Sequence, residues 1–427
     1  MDQAFVGGTS FLTTILVGRD GGPAELGLYS LGFVVFITML STQESVLTTP
    51  LTIYSPKLTG GRGRRYAGAT LAQYMSQSAL FSAGLIVAAL ALTVLPFALA
   101  PVMWALAVAV PLRLLLEYGR RRLYAEMKVF EAMRLNRAAS LIQIVLMVVL
   151  MQVNYLTAAT AFASMGVASG LAALVWFVPR TATFNLRRRS IFISWAKNWA
   201  IGQWILARQG TLLLAFGSLP WMIALVIGQR ETGRFAACLM LVNLANPLIM
   251  AFNNLLIPQA SRALASGGLV EMRRVVSRTS AILLAVAGAL CLMLFIAGEH
   301  LMQLFYGEAF AGSGGLLFIL ALNALAIAAG LGPAGGLVVM ERARLTFVLQ
   351  LLGVCVTLVT SLALIFQMGV AGAAYGYMLG SAVTASTTIV AYRWAVRSRC
   401  SDTNRAGMSP AAHATCDTID LDAKGAI

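Results

Sequence analysis

Charge is what this sequence has least of. Asp, Glu, Lys and Arg make up 11% of its 427 residues, against about 25% in an ordinary soluble domain. With 59% hydrophobic residues, a soluble chain of this length would expose large apolar patches and aggregate. Histidine is scarcer still. His300 and His413 are the only two, and they share no ligand spacing. The five cysteines (Cys238, Cys291, Cys355, Cys400 and Cys416) form no CxxC pair, and three of them sit in apolar runs, where cysteine acts as a small hydrophobe. A metal centre and a disulfide framework are thereby excluded, and no cofactor is expected. No phosphate-binding loop is present, because Gly60-Gly-Arg-Gly-Arg-Arg65 lacks the Lys-Ser/Thr ending. Gly330-Leu-Gly332-Pro-Ala-Gly335 spells GxGxxG but lies inside an apolar run with no strand before it, so it is not a dinucleotide fingerprint. No nucleophile–base or paired-carboxylate constellation occurs, so the chain is not read as an enzyme.

What is abundant is long apolar runs. Mean hydropathy is +0.81, and a spanning helix needs about 20 mainly apolar residues. Twelve spans are expected, at 3–18, 27–50, 71–95, 98–118, 138–155, 157–178, 199–220, 235–257, 279–298, 314–338, 345–367 and 371–392. The first residues have no basic region and no signal-peptide character. They read as a first span with almost nothing before it.

The net charge of +15 is not a nucleic-acid signature here. The basic residues sit in the connections after every second span, as in cytoplasmic loops of membrane proteins. Of the 31 Lys and Arg, only Arg19, Arg230 and Arg234 fall in the opposite connections, and Arg113 and Arg208 fall inside spans. This alternation supports an even number of spans with both termini cytoplasmic. The tail 400–427 turns polar, with Asp402, Asp417, Asp420 and Asp422, and is expected to be disordered.

The two halves resemble each other. Glu25-Leu-Gly27-Leu-Tyr29 matches Glu231-Thr-Gly233-Arg-Phe235 at an offset of 206 residues, Pro50 matches Pro258 at 208, and Arg64-Arg65 matches Arg273-Arg274 at 209. Gly166-Val-Ala-Ser-Gly170 matches Gly369-Val-Ala-Gly-Ala373 at 203. Six spans is an even number, so the repeats run parallel, which suits a central cavity and alternating access. The expected lobes are 1–190 and 191–399, followed by the tail.

Ionisable residues inside spans are costly and are functional candidates. They are Glu44 in span 2, Arg113 in span 4 just after Pro111, and Arg208 in span 7. Together they suit an anionic headgroup, since arginine grips phosphate through paired hydrogen bonds. Glu44 then counterbalances an arginine or carries a proton. The plainer alternative is that Arg113 snorkels to the surface while Glu44 makes a structural pair. Asn246 and Asn253 add a polar face to span 8, beside Asn254. Pro247 and Pro111 are expected to kink spans 8 and 4. Gly332/Gly336 and Gly376/Gly380 mark close helix packing.

Several stretches carry a family likeness: Gly22-Pro-Ala-Glu-Leu-Gly-Leu-Tyr29, Glu231-Thr-Gly-Arg-Phe235 running into Asn246-Pro247 and Asn254-Leu-Leu-Ile-Pro258, Tyr306-Gly-Glu-Ala-Phe310, and Gly369-Val-Ala-Gly-Ala-Ala374. In their order and spacing the chain resembles the polysaccharide-transport branch of the multidrug/oligosaccharidyl-lipid/polysaccharide exporter superfamily. The resemblance implies an all-α integral membrane protein of twelve helices in two lobes around a cationic cavity. It further implies a flippase for a polyprenyl-diphosphate-linked oligosaccharide in the bacterial inner membrane, working beside glycosyltransferases and a polymerase. An ion-coupled drug or metabolite antiporter of the same architecture, and a membrane-embedded glycan polymerase or ligase, are the competing readings.

Overall fold

The computed structural model describes residues 2–58, 60–94, 98–179 and 188–405, and the expected disordered tail lies largely outside them. Among the described residues every regular element is helical. The α-helices are α1 (Asp2–Gln43), α2 (Thr49–Tyr54), α3 (Gly60–Val94), α4 (Ala100–Ala125), α5 (Val129–Gln152), α6 (Ala158–Phe177), α7 (Arg188–Val226), α8 (Gln229–Val242), α9 (Asn246–Tyr306), α10 (Gly314–Val339) and α11 (Ala343–Arg405). Eight helical stretches are long and apolar enough to cross a membrane. The protein is an all-α, multi-pass membrane protein.

Three of those stretches run for 51, 58 and 57 residues, far more than a bilayer of about 30 Å requires at 1.5 Å per residue. Each is broken at one glycine with non-helical dihedrals: Gly22 in α1, Gly268 in α9 and Gly369 in α11. Their φ values of +74°, +67° and +60° are open to glycine at little cost and strained for other residues. The breaks separate expected spans 1 and 2, 8 and 9, and 11 and 12. Expected span 8, 235–257, is itself divided between α8 and the first arm of α9.

Many basic residues expected in connections are instead helical. Arg62, Arg64 and Arg65 open α3, Arg120–Arg122 close α4, and Arg273–Arg274 continue α9. Beyond the hydrocarbon a helix has no reason to stop while its residues favour helix, as arginine does.

The backbone carries the repeat more firmly than the residue matches do. Eight of the ten described residues with positive φ pair in order, Gly22 with Gly228, Gly60 with Gly268, Met127 with Glu341, and Asn154 with Gly369; Gly307 and Gly312 have no such counterpart among the described residues. The offsets are 206, 208, 214 and 215 residues. The first two agree with the offsets read from sequence. The expected match of Gly166 with Gly369 at 203 is out of register: Gly369 is the counterpart of Asn154, in the connection between α5 and α6. Small apolar residues are so common in these spans that composition alone produced that match.

The chain groups into two compact units, residues 1–240 with 300–313, and 241–299 with 314–427. In the first unit α7 is pinned to α3 by a buried relay. Tyr66 Oη donates to Asn198 Oδ1 (2.8 Å), Asn198 Nδ2 to Gln73 Oε1 (2.9 Å), and Gln73 Nε2 to the Ile191 carbonyl (3.1 Å). These bonds tie α7 to the helices before it, although the sequence division at 190/191 put it in the later lobe. Pro111 removes the donor that would serve the Ala107 carbonyl four residues back, and Ser82 Oγ donates to that carbonyl at 2.8 Å. Tyr74 Oη donates to the Pro111 carbonyl at 2.5 Å. Ahead of Pro247 the chain tightens into a 3₁₀ turn, Asn243–Ala245, which is where the missing donor is felt.

The second unit has an apolar core around Leu256, Met272, Val276, Leu337 and Tyr392. Gly376 and Gly380 bring the two arms of α11 together, against Ser361 and Thr357. Gly332 and Gly336 fit α10 against Ser280 and Tyr392.

Candidate functional site

The charged centre of the first unit begins at a defect in the helix. Thr49 N–H bonds to the Glu44 carbonyl, five residues back, and Glu44–Thr48 forms one π-helical turn. Pro50 follows directly and cannot donate into the ladder. Such turns concentrate at functional sites. Gly202 of α7 packs against this turn, and a methyl group there would come within 2.8 Å of the Val46 Cα.

Glu44 is partnered by Arg121, through Arg121 Nη2 and Glu44 Oε1. Arg121 also donates from Nε to Glu117 Oε1 at 2.8 Å. Glu117 in turn accepts two bonds from Arg120, Nε at 2.9 Å and Nη2 at 2.8 Å. Two carboxylates and two guanidinium groups thus make a neutral cluster tying the π turn to α4. Glu117 is its buried member, with 4% of its side chain exposed; about a third of Glu44 and of Arg121 is exposed.

The expected span 4, 98–118, already contains Glu117, which sequence reasoning did not single out because it sits at the span's edge beside Arg120–Arg122. The spacing that finds it is Glu117 with Arg120 and Arg121, three and four residues on, where helical neighbours meet. The same pairs neutralise the charge that would otherwise end the span, and α4 runs on to Ala125.

Arg113 lies half-buried on a cavity of about 110 Å³ in the same unit. Thr9, Thr13, Ser140 and Gln143 give the cavity a polar side, and Tyr29 and Phe33 an aromatic one. Thr13 Oγ1 donates to the Thr9 carbonyl (2.8 Å) and accepts from Gln143 Nε2 (3.3 Å). No carboxylate is among the described residues lining it. The volume is ample for ordered water or a small polar group.

Of the other sequence candidates, Asn246 is exposed at the start of α9. Arg208 lies on α7 and Asn253 on α9, and their side chains fall outside the described residues. No group of three metal-binding side chains occurs among the described residues.

No family model matches the chain, and no curated protein does. Solved structures do. An inward-facing multidrug resistance MATE family transporter of the MOP superfamily matches with a TM-score of 0.76 at 16% identity, covering 94% of this chain and 96% of that one. The fold is that of a MATE transporter. An outward-facing structure of a multidrug resistance MATE transporter aligns with a TM-score of 0.61 at 13% identity, covering 93% of both chains. A MOP superfamily transporter from Pyrococcus furiosus aligns with 0.61 at 16% identity, covering 92% of this chain and 93% of its own. That protein is described by a binding pocket of reverse polarity suggesting a different function. The two multidrug structures are described as MATE family members of the same superfamily that the sequence motifs resemble.

Proposed function

We propose that this protein exports an anionic lipid-linked glycan by alternating access, with a polyprenyl-diphosphate oligosaccharide as substrate. The observation that carries the reading is the polarity of the first unit. Its cavity presents Arg113, with no carboxylate among the described residues lining it, while the acids near the π turn, Glu44 and Glu117, are both held by arginines. A diphosphate is matched by guanidinium donors, and an amphiphile needs a polar path for its headgroup beside lipid for its tail. Arg208, Asn246 and Asn253 are assigned to the same headgroup path. The protein acts in the bacterial inner membrane with both termini cytoplasmic, between glycosyltransferases that build the glycan and a polymerase that uses it. It catalyses no covalent step.

A second reading, an ion-coupled drug or metabolite antiporter, is favoured by the multidrug description of the matched MATE structures. It needs a carboxylate free to exchange a coupling ion. In this chain the two acids closest to that role are neutralised by Arg120 and Arg121.

Proteoliposomes decide between the two. The flippase reading expects translocation of a fluorescent diphosphate-linked oligosaccharide lipid, lost in Arg113→Ala and partly kept in Arg113→Lys. Export of a cationic dye driven by an ion gradient, abolished by Glu44→Gln and untouched by Arg113→Ala, overturns it.

A further inference from the structure

Two grooves on the protein surface share five lining positions through the repeat. In the first unit a groove of about 360 Å³ between α5 and α6 has Glu131, Leu171, Ala172, Val175 and Trp176 in its lining. In the second unit a groove of about 400 Å³ between the arms of α11 is lined by Leu345, Ser386, Thr387, Val390, Ala391 and Trp394. Adding 214 to Glu131 gives Leu345, and adding 215 to the other four gives Ser386, Thr387, Val390 and Ala391. These are the offsets of the positive-φ pairs at 127/341 and 154/369. The shared positions follow the repeat, and the two grooves differ in chemistry.

We propose that the second-unit groove binds one anionic glycerophospholipid, with an acyl chain along Val390 and Ala391 and the phosphate on Arg342. The groove lining carries no charge, and Val390 and Trp394 leave 64% and 58% of their surface open. At the Trp394 end the Arg342 guanidinium stacks over the indole, 4.7 Å from its centroid. It also donates from Nη2 to Ser398 Oγ at 3.2 Å. These contacts hold the guanidinium in place and leave further N–H groups for a phosphate, which arginine binds through paired bonds. A tryptophan paired with a cation is the composition of the membrane–water boundary, which sets the headgroup at the right depth.

The surroundings are one-sided. Arg344, Arg393 and Arg397 are exposed near the same end, and Glu341 is the one acid between residues 340 and 399. Each nearby cation strengthens the hold on an anionic lipid by roughly fivefold. The first-unit groove puts Glu131 where the second has Leu345. Lys128, the counterpart of Arg342, is paired there with Glu126 at 3.4 Å. The first-unit groove thus carries charge of both signs in its lining, Glu131 and Arg134, whereas the second is apolar with its cation at one end.

The purified full-length protein is titrated in detergent with phosphatidylglycerol and, separately, with phosphatidylcholine of the same acyl chains, and bound lipid is counted by native mass spectrometry. One phosphatidylglycerol per chain is expected to survive, held about tenfold better than phosphatidylcholine. Arg342→Ala is expected to cut the preference for phosphatidylglycerol about fivefold, and Val390→Trp to fill the groove and lose the retained lipid with every arginine in place. Arg64→Ala, which removes a cation at the start of α3, is expected to change nothing. Equal retention of both lipids by the unaltered protein, a loss in Arg64→Ala matching that in Arg342→Ala, or full retention in Val390→Trp overturns the site.

Discussion

Gly27 and Gly233 meet backbone to backbone, and their contact is reciprocal. A methyl group on Gly27 would overlap the Gln229 carbonyl, and one on Gly233 would overlap the Pro23 carbonyl. Both pairs, 27 with 233 and 23 with 229, are separated by the same 206 residues. Residue i touching j′ while j touches i′ is the mark of a local two-fold relation between like surfaces. The repeat read from Glu25–Tyr29 and Glu231–Phe235 is therefore a repeat in contact with itself.

Either glycine is expected to resist even alanine. Gly27→Ala or Gly233→Ala should lower stability by about 1–3 kcal/mol, the usual cost of overpacking, because the obstructing atoms are main chain and cannot rotate away. Gly288→Ala, with open space around it, should be neutral. Thermal unfolding in detergent reads the difference, and an unaffected Gly233→Ala refutes the contact.

The Pro111 kink is expected to make Ser82 indispensable only while the proline is present. Ser82→Ala orphans the Ala107 carbonyl, at a cost of about 1–3 kcal/mol. In a Pro111→Ala background the restored N–H takes over that carbonyl, and Ser82→Ala should cost much less. A double-mutant cycle that comes out additive removes Ser82 from this role.

Arg121 is expected to couple more strongly to Glu117 than to Glu44. Glu117 is buried and takes three guanidinium bonds, whereas Glu44 is a third exposed and its pair is correspondingly diluted. Glu117→Gln should cost about 3–5 kcal/mol, as removal of one member of a buried pair does. The Glu44–Arg121 coupling should stay near 1 kcal/mol. Cycles of Glu117→Gln and Glu44→Gln, each with Arg121→Met, measure both.

Arg208→Ala is expected to abolish surface glycan export while the protein still inserts into the membrane. Normal export from that variant removes Arg208 from the headgroup path. For topology, single cysteines at Arg64 and Arg274 should label from the face opposite to one at Asn154. Labelling of all three from one face contradicts the alternation of spans.

Much of this architecture was legible in composition and spacing. Apolar runs located the spans, because lipid imposes its thickness on sequence directly, and the breaks at Gly22, Gly268 and Gly369 fall where the runs were divided. Glu117 was inside the expected span 98–118 but was passed over, because at the edge of a basic cluster an acid reads as part of the connection. Hydropathy does not see that a carboxylate and two guanidinium groups at helical spacing neutralise one another. The 203-residue match failed for a related reason: Gly166 and Gly369 are alike in identity, and only dihedral angles tell a turn residue from one that packs mid-helix. Arg113 was found by its charge, but the hydroxyls of Thr9 and Thr13 and the amide of Gln143 around it come from spans 1 and 5, and sequence spacing does not bring those together.

The Glu44–Arg121 pair spans 77 positions of chain, and synthesis meets its members in that order. Glu44 reaches the membrane while α4 is still being made. Until then it sits in lipid as an acid without its counter-ion, so any product truncated before Arg121 carries an uncompensated carboxylate. The carboxylate is paired only once α4 has been added to the chain.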